Sequence, residues 1–271
     1  MTGLDLERAL ETARRAVEAA SRVALAHFRR GVRVELKPDR TPVTVADRES
    51  EAAIFAVVRD AFPDHGLFGE ESGLHPAGAA GRDTRWIVDP LDGTRGFTRG
   101  ESFWGPLVAL EHRGEVLAGA MALPALGEVY FAARGRGAWL TSGGDPPARL
   151  QVSRIASWEE ATLSLGEPRV LLAAPYLDPV ARLATTCART RCHGDLAGFA
   201  MVLSGRAEAW VEAGVQVWDL APMKVLVEEA GGSFTDLRGT PSIASGGCIA
   251  SNGLLHEHVR TTLVLATGAR A

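Results

Sequence analysis

The apolar run Arg85-Trp86-Ile87-Val88 stops at Asp89-Pro90-Leu91-Asp92-Gly93-Thr94, and few folds can accommodate that ending. The run reads as a short buried strand. Pro90 removes a ladder donor and fixes its own φ, so the strand cannot simply continue. Gly93 lets the backbone turn tightly. Two carboxylates are left close together at a strand end, where their repulsion demands a cation. Hard oxygen donors of this kind suit Mg²⁺, which takes a few carboxylates together with waters and substrate phosphate. Gly93 and Thr94 then open a helix, whose free N–H groups favour an anion. Metal and phosphate sites thus fall within one short segment.

The rest of the chain supplies layers to hold that segment. Residues 4–30 read as an amphipathic helix, with Leu6, Leu10, Ala13, Val17, Ala20, Ala24 and Phe28 on its apolar stripe. Residues 47–61 read as a second helix, and Gly31 to Ala46 as an extended hairpin. Residues 74–84 are Gly/Ala-rich and read as a surface loop. Gly105 to Leu140 alternates in strand-like runs broken by turns, the pattern of an antiparallel meander. Residues 141–149 are the expected hinge between two halves, about 1–143 and 144–271. In the second half, 169–174 and 207–212 read as strands, and 177–188, 195–205 and 219–230 as helices. That order implies an α/β layer beside the first sheet.

Composition excludes some partners. The net charge is −4, which gives no electrostatic case for nucleic acid or a membrane surface. No apolar run approaches the roughly 20 residues that a membrane span needs. The first helix lacks an apolar block followed by a cleavage site, so it is not read as a secretory signal. Cys187, Cys192 and Cys248 lack the paired spacing of a zinc site and read as structural, reduced thiols of a cytoplasmic protein.

Other acidic residues stand where the chain turns: Asp47 in TPVTVADRE, Glu70 in GLFGEESG and Asp219 in QVWDLAP. Each alone is also what an ordinary turn or helix N-cap looks like. Their joint occurrence with Asp89 and Asp92 is harder to explain as separate turns.

These segments together resemble the inositol monophosphatase family of metal-dependent, lithium-sensitive phosphatases, over about residues 5–265. Trp86 to Thr94 is similar to the family's first motif. Val217-Trp218-Asp219-Leu220-Ala221-Pro222, with Glu228 to Gly232 after it, is similar to the second. Gly69-Glu70-Glu71-Ser72 resembles its acidic loop, and Pro42 to Asp47 its early motif. Gly96 departs from the family, which usually places Asn there.

The resemblance implies an αβαβα sandwich, commonly a homodimer, hydrolysing a small phosphorylated metabolite by metal-activated water. It implies two or three Mg²⁺ ions, with Mn²⁺ as a substitute. Glu70, Asp89 and the Leu91 carbonyl are expected at one ion, and Asp89, Asp92 and Asp219 at a second. Glu70 is expected to share a third, weaker ion. The Gly93 and Thr94 amides are expected on phosphate oxygens, with Lys37 near. The Thr94 hydroxyl, bonded to Asp47, is expected to orient the attacking water together with Glu70. Phosphoryl transfer leaves side chains mainly positioning and charge stabilisation, so no serine or cysteine nucleophile is needed.

For the leaving group, the expected contacts are Asp92, His193, Asp195 and Glu212. His193-Gly194-Asp195, with Ala197-Gly198-Phe199-Ala200 after it, resembles the histidinol-phosphate phosphatase branch, as does Phe103-Trp104-Gly105. Asp195 and Glu212 together would suit a cationic leaving group. Asp195 reads equally as a helix cap. Inositol phosphate and other sugar or polyol phosphates are the alternative substrates, and a non-catalytic regulatory relative is the remote one.

Overall fold

The computed structural model describes residues 4–79 and 81–267, with only the main chain described at residues 195 and 265–267. The chain divides into two compact units, residues 1–149 and 150–271.

The first unit opens with α1 (Leu6–His27), capped by the Asp5 carboxylate accepting the Arg8 N–H at 3.0 Å. Its buried face is built from Ala9, Ala13, Ala16, Val17, Ala20 and Ala24, and small side chains let the helix lie close to its neighbours. A two-stranded ribbon follows, β1 (Glu35–Leu36) and β2 (Pro42–Val43), with Glu35 opposite Val43. Next comes α2 (Val45–Ala61), then β3 (His65–Gly69), β4 (Gly73–His75), β5 (Gly81–Asp92) and the six-residue α3 (Thr94–Arg99). The meander is β6 (Gly105–His112), β7 (Glu115–Leu123), β8 (Glu128–Ala133) and β9 (Gly137–Ser142), and β10 (Ala148–Arg149) returns along its edge.

The larger sheet has the order β10-β9-β8-β7-β6-β5-β3-β4. Pairing is antiparallel except between β3 and β5. α1 and α2 cover one face, and their side chains form a core with Trp86, Val88, Val108, Leu110, Ala118, Ala120 and Phe131.

The second unit contains β11 (Thr162–Leu165), α4 (Pro168–Leu171), α5 (Leu177–Thr186), β12 (Arg189–Arg191), α6 (Asp195–Leu203), β13 (Ala209–Ala213), α7 (Val217–Glu229), β14 (Ser233–Thr235), β15 (Gly247–Ser251) and α8 (His256–Thr267). Its sheet order is β12-β11-β13-β15-β14, parallel through β12, β11 and β13 and antiparallel beyond. Leu171, Val180, Leu183, Val259 and Leu263 from α4, α5 and α8 pack on Leu163, Leu165, Ala209, Val211 and Ile249. α6 and α7 pack against the same sheet through other residues, Phe199 meeting Trp210 edge-on at 5.6 Å. The layers are therefore two in the first unit and three in the second.

Two expectations fail locally. The strand over 169–174 is instead most of α4 followed by an exposed turn. Glu167 caps that helix by accepting the Arg169 N–H at 2.8 Å, Pro168 fits its first turn, and only Leu171 is buried. The loop over 74–84 is partly strand, because β4 and the start of β5 extend the sheet on both sides of β3.

His65 gives the first unit an acid-sensitive contact. Trp86 Nε1 donates to His65 Nδ1 at 3.1 Å, which requires a ring nitrogen without a proton. Burial lowers the His65 pKa from its ordinary 6.5, with Asp64 opposing. Below pH 6.5 the unfolded chain takes up a proton that the folded ring refuses. Stability present above that pH is therefore lost as pH falls toward the folded-state pKa. The His65 contribution to the urea midpoint of the metal-free protein is expected to drop between about pH 7 and about pH 5.5, against an opposite contribution from Glu71, whose raised pKa favours the folded state as pH falls. His65→Asn keeps an acceptor for Trp86 and should flatten that drop. An unchanged pH dependence in His65→Asn refutes the assignment.

Candidate active site

The end of β5 carries the first group of predicted residues. Asp89 pairs with Leu107 of β6, and Asp92 pairs with Gly105. Three steps on β5 thus span two on β6, which is a β-bulge. Side chains alternate along a regular strand, so residues three apart would point to opposite faces. The extra residue restores parity. Val88 and Leu91 both join cores with α1 and α2 residues, leaving Asp89 and Asp92 to share the other face. Their carboxylates each place an oxygen within 4.8 Å of the other. Asp89 is 2% exposed, and its Oδ1 accepts the Leu91 N–H at 2.8 Å.

Gly93 makes the turn out of the strand with φ +78, and α3 begins at the next residue. The Thr94 hydroxyl lies 3.0 Å from Asp47 Oδ1 and 3.0 Å from the Leu91 carbonyl, so its one proton chooses between two acceptors. Asp47 is the third residue of α2 and closes a capping box, its Oδ2 accepting from the Thr44 N–H at 2.8 Å and the Thr44 hydroxyl at 2.7 Å. Burial pushes the Asp47 pKa up, and the bonds from Thr44 and Thr94 pull against that rise.

The acidic loop leaves β3 beside this group, with the Glu70 N–H donating to the Val88 carbonyl at 3.0 Å. Lys37, just beyond β1, sits between the Glu70 and Glu71 carboxylates at 2.7 Å from each. One cation faces two carboxylates. Burial works against the Lys37 charge, but those two partners raise its pKa well above the ordinary lysine range. Burial raises Glu71 to about 7, with Glu70 adding and Lys37 subtracting. Glu71 therefore takes up a proton as the pH falls through neutrality, while Lys37 stays charged.

The other predicted residues lie in the second unit. Asp219 is the third residue of α7 and accepts the Gln216 N–H at 2.7 Å, the same capping-box position that Asp47 holds on α2. Glu212 on β13 is fully buried, its Oε1 accepting the N–H groups of Glu167 at 2.9 Å and Ala213 at 2.8 Å. Gly166 makes room for it, since a Cβ there would stand 1.5 Å from Glu212 Oε2. His193 is exposed between β12 and α6. Asp195 opens α6, and its side chain lies outside the described residues. Lys37 is held by carboxylates, a partnership that the sequence did not suggest. Glu51, one turn after Asp47, also escaped the sequence reading; its only signal was a charged residue on the buried side of a helix.

Oxygen donors grouped at a bulged strand end, with a glycine-opened turn beside them, are the equipment of metal-dependent phosphoryl transfer. The chain belongs to the inositol monophosphatase family, whose model matches residues 5–266. It is thus a phosphoric monoester hydrolase of a metal-dependent family. A histidinol-phosphatase of Chlorobaculum parvum is 43% identical over 257 residues, covering 94% of this chain and 95% of its own. A histidinol-phosphatase of Mycobacterium tuberculosis is 39% identical over 232 residues, covering 86% and 88%. Among solved structures, the extragenic suppressor protein suhB of Bartonella henselae matches with a TM-score of 0.84 at 30% identity, over 93% of this chain and 97% of that one.

Gly93 yields a direct test of the turn. A Cβ there would lie 3.0 Å from the Phe103 carbonyl in a left-handed backbone. Gly93→Ala is expected to cost about 1–2 kcal/mol by urea denaturation and to depress phosphatase activity. Wild-type stability and activity in that variant would show that the turn tolerates a side chain.

Proposed function

We propose that the protein is a Mg²⁺-dependent histidinol-phosphate phosphatase. The observation that carries the substrate is the 43% identity, across nearly the full length of both chains, to a histidinol-phosphatase. The His193-Gly194-Asp195 segment supports it from the sequence side.

The donor set fits the metal. Asp89 and Asp92 share a face, only oxygen donors are involved, and hard donors of that kind suit Mg²⁺, with Mn²⁺ as a substitute. Glu70, Asp89, the Leu91 carbonyl, Asp92 and Asp219 are the residues that would hold two or three ions. Bound there, the ions supply Lewis-acid polarisation of the phosphoryl oxygens and lower the pKa of a water. The protein's own groups do the rest. Donating its proton to Asp47, the Thr94 hydroxyl turns a lone pair toward the attacking water. Glu70 accepts that water's proton. The Gly93 and Thr94 amides and Lys37 hold the phosphate oxygens, and the ester oxygen leaves as the alcohol once it takes a proton. Asp92, His193 and Asp195 would face the alcohol, and the Asp195 carboxylate suits an amino alcohol bearing an imidazole; Glu212, expected there too, is instead fully buried against Gly166. A reducing cytoplasm agrees with three free cysteines, and a homodimer with the family's usual assembly.

The test is phosphate release from a panel of esters. Histidinol phosphate should lead inositol 1-phosphate and glycerol 2-phosphate in kcat/KM, and excess chelator should abolish all three activities. Asp89→Asn should lower kcat by orders of magnitude, and Asp47→Asn by less. Asp195→Asn removes a charge but keeps the shape at the first residue of α6, whose cap position belongs to Gly194 and not, as the sequence also allowed, to Asp195. Loss of one charge-assisted contact, about 1.5–3 kcal/mol, should lower kcat/KM for histidinol phosphate about 10- to 100-fold and leave glycerol 2-phosphate nearly unchanged. A wild-type preference for inositol phosphate would overturn the substrate, and full activity in chelator would overturn the mechanism.

A further inference from the structure

α2 carries a second buried carboxylate that the proposed chemistry does not use. Glu51 follows Asp47 by four residues, so the two side chains leave the same face of the helix one turn apart. Glu51 is 4% exposed. Its Oε2 accepts the main-chain N–H of Glu71 at 3.0 Å.

Gly69 shows that this contact shaped its surroundings. A Cβ on residue 69 would lie 2.1 Å from Glu51 Oε2 and 3.0 Å from Phe55 Cζ. Gly69 is absent from the positive-φ glycines, so the backbone there does not itself demand glycine. The approach of the carboxylate does. Burying a carboxylate is costly, and an apolar side chain of similar volume usually serves packing better. Glu51 is therefore a poor choice for a merely structural position. What it grips is the turn that presents Glu70 and Glu71.

We infer that Glu51 is a positioning residue, which fixes the Glu70–Glu71 turn through the Glu71 N–H. α2 then holds two arms of the site with two carboxylates one turn apart: Asp47 holds Thr94 after β5, and Glu51 holds the loop after β3. Helical rise sets the spacing between the two grips at about 6 Å along the axis. This rests on the proposed role of Glu70.

The test compares Glu51→Met, which keeps the length without the acceptor, with Glu51→Gln, which keeps a carbonyl acceptor. Val58→Ala, on the same helix but away from the loop, controls for stability. Hydrogen exchange at the Glu71 amide is read by NMR on metal-free protein, and Mn²⁺ affinity by calorimetry. Glu51→Met should speed Glu71 exchange about tenfold or more and weaken Mn²⁺ binding about tenfold, with Glu51→Gln staying within about threefold on both. Val58→Ala should lower Tm and leave both readouts unchanged. Equal Mn²⁺ affinity and equal exchange in wild type and Glu51→Met overturn the inference, as does a Val58→Ala variant that shifts both as strongly. If Glu51→Met does not fold, the wild type decides: a Glu71 amide exchanging at its intrinsic rate overturns the inference, and a protected one that Glu51→Gln keeps protected supports it. A wild type that binds no Mn²⁺ instead overturns the role of Glu70, while the exchange readout still judges Glu51.

Discussion

One extra residue in β5 decides where the carboxylates point. Without the bulge between Asp89 and Asp92, alternation would send one to the helix-covered face and the other away from it. The partner strand is shaped for the same purpose. Gly105, opposite Asp92, could not carry a Cβ, which would stand 1.9 Å from the Ala122 carbonyl. Pro90, which cannot donate to a ladder, lies inside the bulge where two residues oppose one. Asp89 itself bridges the irregular stretch by accepting the Leu91 N–H, so a main-chain donor freed by the bulge is satisfied by a residue of the acidic pair.

Helix N-termini supply the second constraint. Asp47 and Asp219 are each the third residue of a helix, and each accepts the N–H of the residue that caps it. A capping carboxylate has one oxygen committed to the backbone and is held near the positive end of the helix dipole. Its rotamer is fixed before any ligand arrives. In Asp47 the second oxygen serves Thr94. The side chain that starts the helix therefore also holds the hydroxyl, and on the proposed chemistry stability and function would use the same carboxylate.

The sequence made this logic legible where several residue types had to agree. Strand, Pro, Asp and Gly in succession permit few backbones, so the opening of α3 after Gly93 could be placed from the residues alone, whereas β5 does not stop at Pro90 but runs on to Asp92 by way of the bulge. The amphipathic periods of α1 and α2 were equally plain, because alanine and valine recur on one face. Legibility failed where a tertiary partner decides. Residues 169–174 have the composition of a strand, but Glu167 and Pro168 start a helix there and most of the run stays exposed. Nothing in one sequence announces that Gly69 is small because Glu51 approaches it, or that Gly166 makes room for Glu212. Such pairs are separated in the chain and complementary only in space.

Charge balance links the β1–β2 ribbon to the carboxylates. Two residues per strand give too little pairing and too little apolar burial to hold a ribbon by itself. Leu36 is 66% exposed, so apolar packing at that end adds little. Val43 of β2 is buried and anchors one strand, and ion pairs tie down the β1 side: Glu35 pairs with Arg48 at 2.5 Å, and Lys37 with Glu70 and Glu71. The Arg48 pair is solvent-exposed and contributes little. The Lys37 pairs are partly shielded and carry more of the attachment. Lys37 therefore has a structural partner in the same carboxylate that the proposed chemistry gives to a metal ion. A divalent cation at Glu70 and the ammonium of Lys37 would repel each other, so on the proposed chemistry metal loading and the position of the ribbon would be coupled through one side chain. An anionic phosphate between them would reverse the sign of that repulsion, so on the same chemistry substrate would bridge the ribbon and the acidic loop.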